Sequence, residues 1–226
     1  MCRREALLAK ARDTIAKETE AEVLAVTSDV QHLPDVQRLV TETMQRFGAI
    51  HILVNNAGSV PSMPFTDVDD AKWHQILEGK LLNYLRVTRE VVPYIQKAGW
   101  GRIISIAGTA GWQPSITTMA NGLSNAAVIN WTKSMSLQYA ADGILVTSVA
   151  PSSIETPRQV RGRQREADRR GVSVDELLKA RVRDIPLQRL GRPEEIAAIV
   201  VFLASEQSSY ITGTCVTVDG GITRGI

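Results

Sequence analysis

Lys80 and Tyr84 stand one helical turn apart in a stretch, 67–98, whose pattern-setting positions Trp73, Ile76, Leu77, Leu81 and Leu85 are apolar. An ammonium carried into a cleft from such a stretch can stabilise negative charge on a substrate oxygen. With its pKa lowered by burial it can act instead as a base or an amine nucleophile. The plainer alternative is a lysine whose stem packs while its head reaches solvent. Further along lie a hydroxyl at Thr109 and two amides, Asn121 and Asn125. An amide has no proton to give near neutral pH, so neither asparagine can serve as a general acid. His32, His51 and His74 have no metal-ligand spacing, and no metal is expected. Cys2 and Cys215 are too far apart for a metal motif or a disulfide framework, and fit a reducing cytoplasm.

These residues fall among alternating strand and helix patterns. Short apolar runs at 23–30 (VLAVTSDV), 50–58 (IHILVNNAG), 101–108 (GRIISIAG), 144–151 (ILVTSVAP) and 215–221 (CVTVDGG) read as strands. Helical spacing covers 33–47, 67–98, 121–141 and 193–205, the last opening with proline in its first turn. The N-terminal segment has the look of an amphipathic helix, without the apolar centre of a secretory signal. Strands rich in Val, Ile and Leu alternating with helices predict a parallel sheet buried on both faces, in one α/β domain spanning 1–226. The segment 156–184 is rich in arginine, including Arg158, Arg161, Arg163, Arg165, Arg169 and Arg170. It reads either as a solvated surface helix or as a mobile lid over a ligand cleft.

Composition agrees with that architecture. The 226 residues are 44% hydrophobic and 22% charged, enough for one sizeable core. A net charge of +2 gives no electrostatic case for nucleic acid. No apolar run reaches membrane-spanning length.

Four motifs then appear in a familiar order: LVNNAG at 53–58, GRIISIAGTAG at 101–111, SNAAVINWTKSMSLQYAADGILVTSVAPSSIETP at 124–157, and RLGRPEEIAAIVVFLASEQSSYITGTCVTVDGG at 189–221. Over essentially the whole chain the sequence resembles the short-chain dehydrogenase/reductase family. The resemblance implies a Rossmann-like, doubly wound parallel sheet that binds NAD or NADP at the carboxyl ends of its strands. It places Asp29 and Val30 beside the adenine, and Asn56, Ala57 and Gly58 beneath the adenosine ribose. Ile154 and Thr156 would meet the nicotinamide amide. It also implies a homodimer or homotetramer, paired through helices at about 69–98 and 121–141, with Leu82, Val87, Val128 and Trp131 as candidate buried positions.

Two departures from the family pattern carry consequences. The family opens with a strand, a TGxxxGxG turn and a helix, a unit of at least ~30 residues that has no counterpart before the first helix here. That unit supplies the backbone cradle for the pyrophosphate. The expectation is a truncated gene model, with Met1 an internal methionine or misassigned start. Arg3 and Arg4, with Cys2, are what remains near the position that selects NADP by its 2′-phosphate. The second departure is in the catalytic tetrad of Asn, Ser, Tyr and Lys, whose positions fall on Lys80, Gly108, Asn121 and Asn125, with Ser124 retained between the last two. Loss of the tyrosine removes acid–base help worth ~10²–10⁴-fold. Loss of the serine donor costs roughly 2.7–4 kcal/mol of transition-state stabilisation.

The family resemblance therefore implies an NAD(P)-linked oxidoreductase acting on ketones or secondary alcohols, with the usual catalytic route disfavoured. The alternatives are a catalytically inactive binding protein, or a non-redox, lyase-type enzyme using the same scaffold. A small-molecule substrate is expected if the chain is active, with neither nucleic acid nor membrane as partner.

Overall fold

The computed structural model describes residues 5–60, 63–114 and 118–224. Cys2, Arg3 and Arg4 lie outside the described residues. The chain opens with α1 (Glu5–Thr19) and α2 (Leu33–Phe47), and Gly48 ends α2 in the left-handed conformation, its N–H donating to Met44 O. Then come β1 (Ile52–Asn55), α3 (Asp70–Leu77) and α4 (Asn83–Ala98), β2 (Gly101–Ile106), α5 (Met119–Tyr139) and β3 (Ile144–Pro151). The Arg-rich segment forms α6 (Pro157–Arg170) and α7 (Val174–Arg183), and the chain closes with α8 (Pro193–Ala204) and β4 (Cys215–Val218).

All four strands are parallel and lie in the order β1-β2-β3-β4. Alternate residues of β2 face opposite layers. Ile103 points toward Val91, Val92 and Ile95 of α4, with Val40 of α2 behind them and Ile144 and Val146 of β3 alongside. Its neighbour Ile104 packs on the other side with Val149 and with Leu203 of α8. Both isoleucines are fully buried, which at about 1.5–3 kcal/mol per side chain makes this pair a major anchor of the two layers. The result is the α/β architecture with helices on both faces that the strand composition predicts.

Two elements differ from expectation. The strand expected at 23–30 does not form: residues 23–29 are extended without any ladder, Leu24 is 37% exposed, and only Ser28 and Val30 are buried. A parallel strand requires a hydrogen-bonded neighbour, and among the described residues β1 ends the sheet on that side. The outer face of β1 is correspondingly open, with Ile52 44% and Val54 43% exposed. The helix expected over 67–98 is interrupted instead of continuous. Between α3 and α4 the stretch Glu78–Leu82 winds as a π-type turn with i→i+5 spacing. Of the candidate assembly positions, Val128 is fully buried against Tyr84 and Ala107 within the monomer, so it belongs to the core and not to an interface.

Candidate active site

The site grows from the contact between two backbones. The carbonyl of Gly79, within the π-type turn, accepts a hydrogen bond from Ser59 N at 2.9 Å. The two chains meet so closely that a Cβ on Gly79 would lie 2.5 Å from Ser59 O, and one on Gly58 would lie 3.1 Å from Gly79 O. Glycine at both positions is what permits the turn after β1 to dock on the helix. That docking sets Lys80 at the carboxyl end of the sheet.

Lys80 is 9% exposed. Its Nζ donates to Asn125 Oδ1 at 2.6 Å and to the backbone carbonyl of Ala107 at 2.9 Å. Burial disfavours the ammonium and lowers its pKa to about 8, against a smaller opposing effect of Cys215. Asn125 is fully buried, and its Nδ2 has no hydrogen-bond partner among the described residues. Gly108 lies against the same amide: a Cβ there would sit 2.8 Å from Asn125 Nδ2. Three of the four positions inferred for the tetrad, 80, 108 and 125, are thus in mutual reach. Asn121, one turn earlier on α5, lines the same cleft.

The cleft has two lobes that share Gly108, Asn121, Asn125, Pro151, Gln159 and Gly162. One, of about 680 Å³, is bounded by Gly58, Lys80, Thr156, Arg158 and Arg165. The other, of about 620 Å³, extends past Thr109, Ser152, Ser153 and Ile154 to Arg163 and Arg181. Helices α6 and α7 form its outer wall. The Arg-rich segment is therefore folded against the ligand space, with Thr156 capping α6 by accepting from Gln159 N at 3.3 Å.

The remaining sequence-derived positions lie apart from the cleft lining. Asp29 N donates to Asp35 Oδ2 at 2.8 Å, and Val30 O accepts from Arg86 Nη1 at 3.0 Å. Asn56 is exposed and Ala57 half-buried in the turn that leads to Gly58. Tyr84 is no substitute for a catalytic phenol: its Oη donates to Ile106 O at 3.1 Å, it does not line the cleft, and burial pushes its pKa up. Sequence reasoning did not find the carbonyl of Ala107, the Gly79–Ser59 contact or Arg181. A backbone acceptor carries no residue-type signal, and Arg181 reaches the cleft only through the packing of α7.

Comparisons with known proteins identify the family. The family model described as enoyl-(acyl carrier protein) reductase matches residues 2–223. The 3-oxoacyl-(acyl-carrier-protein) reductase FabG of Thermotoga maritima is 33% identical over 220 residues, covering 93% of this chain and 82% of that protein. Oxidoreductase UcpA of Salmonella typhimurium is 36% identical over 203 residues, 88% of this chain and 75% of that protein. Among solved structures, L-sorbose reductase from Gluconobacter frateurii, complexed with NADPH and L-sorbose, superposes with a TM-score of 0.94 at 28% identity, covering 99% of this chain and 86% of that one. Actinorhodin polyketide ketoreductase with NADPH gives a TM-score of 0.93 at 29% identity over the same shares. The chain belongs to the short-chain dehydrogenase/reductase family of NAD(P)-dependent oxidoreductases. No helix among the described residues is long and apolar enough to cross a membrane, and no cluster of histidine, cysteine or carboxylates there could hold a metal.

Proposed function

We propose that this protein interconverts a ketone and a secondary alcohol with NAD or NADP, and that Lys80 supplies the positive charge at the reacting oxygen. The observation that carries this reading is the 2.6 Å contact between Lys80, which lines one lobe, and Asn125, which lines both. A lysine buried to 9% exposure and tied to two acceptors among the described residues has a third N–H to offer a ligand.

The residues present fit the nicotinamide end of a dinucleotide. Ile154 and Thr156 would meet its carboxamide, and Asn56, Ala57 and Gly58 would pass beneath the adenosine ribose, with Asp29 and Val30 bordering the adenine. For the diphosphate, no glycine-rich turn opens onto a helix N-terminus among the described residues, while Arg158 and Arg165 give that lobe positive charge. When bound, the dinucleotide supplies or accepts the hydride.

The protein's own residues hold and polarise the substrate. The ammonium of Lys80 stabilises negative charge on the substrate oxygen, and with a pKa of about 8 it also has a proton to transfer near neutrality. Asn125 fixes the ammonium from one side and the Ala107 carbonyl from the other. Asn121 lends a further amide to the cleft, and Gly108 leaves room for the Asn125 side chain. Exposed leucines on α5 favour assembly as a homodimer or homotetramer.

Absorbance of the reduced nicotinamide, followed across ketones and secondary alcohols, tests the reading. Turnover that falls at least tenfold in Lys80→Met is expected. Turnover without any nucleotide would indicate lyase-type chemistry, and none under any condition would indicate a binding protein. Either result removes the proposal.

A further inference from the structure

Arg181 of α7 reaches across to the turn that follows β3. Its Nε donates to Ser153 Oγ at 2.8 Å, and its Nη2 to Ser152 Oγ at 3.4 Å. Ser153 holds φ at 56°, a left-handed conformation that side-chain-bearing residues adopt rarely. All three residues line the 620 Å³ lobe together with Gly108, Asn121 and Asn125. Two hydroxyls therefore orient this guanidinium over the ligand space without neutralising it.

The charges around that lobe do not cancel. Its ionised lining side chains are Arg163, Glu166 and Arg181. Arg163 is matched by Glu155 at 3.3 Å. Glu166 is matched by Arg169 at 2.7 Å, with Arg170 at 3.8 Å. Arg181 has no ion pair among the described residues. One cation is left over in a lobe that is also lined by Asn125, whose amide holds Lys80. The Nη1 of Arg181 has no hydrogen bond among the described residues, and a guanidinium with donors to spare is suited to a planar carboxylate.

We infer that the substrate is an oxo acid or its hydroxy acid, a monoanion whose carboxylate pairs with Arg181 while its carbonyl or hydroxyl end lies toward Lys80 and Asn125. The inference rests on the redox reading for what happens at the carbonyl, but the anchor itself concerns binding alone. Lys80 serves the reacting oxygen and Arg181 the remote anion. Arg181 thus acts as a specificity residue, touching substrate away from the chemistry.

Isothermal titration tests it with four probes: 2-oxo-3-phenylpropanoate, 4-oxopentanoate and the neutral methyl ester of each, with and without NADPH. The acids are expected to bind at least about tenfold more tightly than their esters, as fits a charge-assisted pair. Arg181→Leu should abolish that difference and Arg181→Lys restore part of it, with circular dichroism confirming the fold of each variant. In the unaltered protein the acid preference should shrink as salt is raised, a measurement that needs no substitution. Equal binding of acid and ester, or an acid preference unchanged in Arg181→Leu, overturns the inference. Preferred binding of the acids without hydride transfer leaves the anchor standing and removes the redox reading. Turnover of neutral ketones with no acid preference does the reverse.

Discussion

The side chain of Asn125 holds Lys80 by one atom alone: Oδ1 accepts from Nζ at 2.6 Å, while Nδ2, fully buried against Gly108, donates to nothing among the described residues. One amide thus fixes a buried cation through its oxygen, while its own donor is sealed in the interior.

Burial of Lys80 makes stability depend on pH in a definite direction. Its folded pKa of about 8 lies below the ordinary 10.5, so between these values the unfolded chain binds more protons. The penalty for burying the ammonium is therefore full below about pH 8 and is relieved as pH rises toward 10.5. Denaturant titrations of wild type and Lys80→Met at pH 7 and pH 10 should show wild type gaining on the variant by up to about 3 kcal/mol. A pH-independent difference would place the ammonium in solvent. Activity moves the other way, falling above about pH 8 as the positive charge is lost.

Gly108→Ser, which restores the family's hydroxyl, should damage this protein. The new Cβ would meet Asn125 Nδ2 at 2.8 Å, and the backbone of Gly108 is extended (φ 172°), so crowding alone opposes the change. The amide must turn away, releasing Lys80. A loss of roughly 1–3 kcal/mol in denaturant melts is expected. Pairing it with Asn125→Ala should recover part of that loss, because the clash is gone.

Arg86 ties three segments together. Its Nη2 donates to both carboxylate oxygens of Glu78 at 3.0 Å, and its Nη1 to Val30 O at 3.0 Å and Asn83 Oδ1 at 3.2 Å. Arg86→Ala should cost about 1–3 kcal/mol, with the first loss of hydrogen-exchange protection at residues 28–31. Arg86→Lys cannot reproduce the fork and should recover less than half of the lost stability.

Leu123 and Leu137 of α5 lie about four turns apart and are 54% and 74% exposed. If that face pairs two copies, sedimentation velocity at micromolar concentration will show a dimer or tetramer, and Leu137→Glu will shift it toward monomer without lowering the melting temperature. A monomer in both cases would remove α5 from any interface.

What could be read in advance followed local chemistry. Val, Ile and Leu runs announced β1 to β4, and the helical spacing of 33–47 announced α2. The same local logic failed at 23–30, where VLAVTSDV has strand composition but no neighbour to pair with. Strand propensity is a property of a place in a sheet as much as of a sequence. At the site, family spacing pointed to positions 80, 108 and 125, which the structure sets within reach of one another, yet no residue type revealed that Lys80 leans on the Ala107 carbonyl. Arg181 escaped notice for a similar reason: its relevance is set by how α7 folds back over Ser152 and Ser153.

The widened turn at Glu78–Leu82 also sets a phase. Each residue advances an α-helix by about 100°, so one extra residue accommodated there rotates everything downstream by that angle relative to an uninterrupted rod. Upstream, Ile76 faces Val60, Val68 and Ala120; downstream, Val91, Val92 and Ile95 face the sheet. Each apolar stripe finds its own partner only because the insertion separates their azimuths. Deleting a single residue from this turn would regularise the hydrogen bonding and swing one stripe into water, so the irregular winding that presents Lys80 is also what keeps two halves of the interior in register.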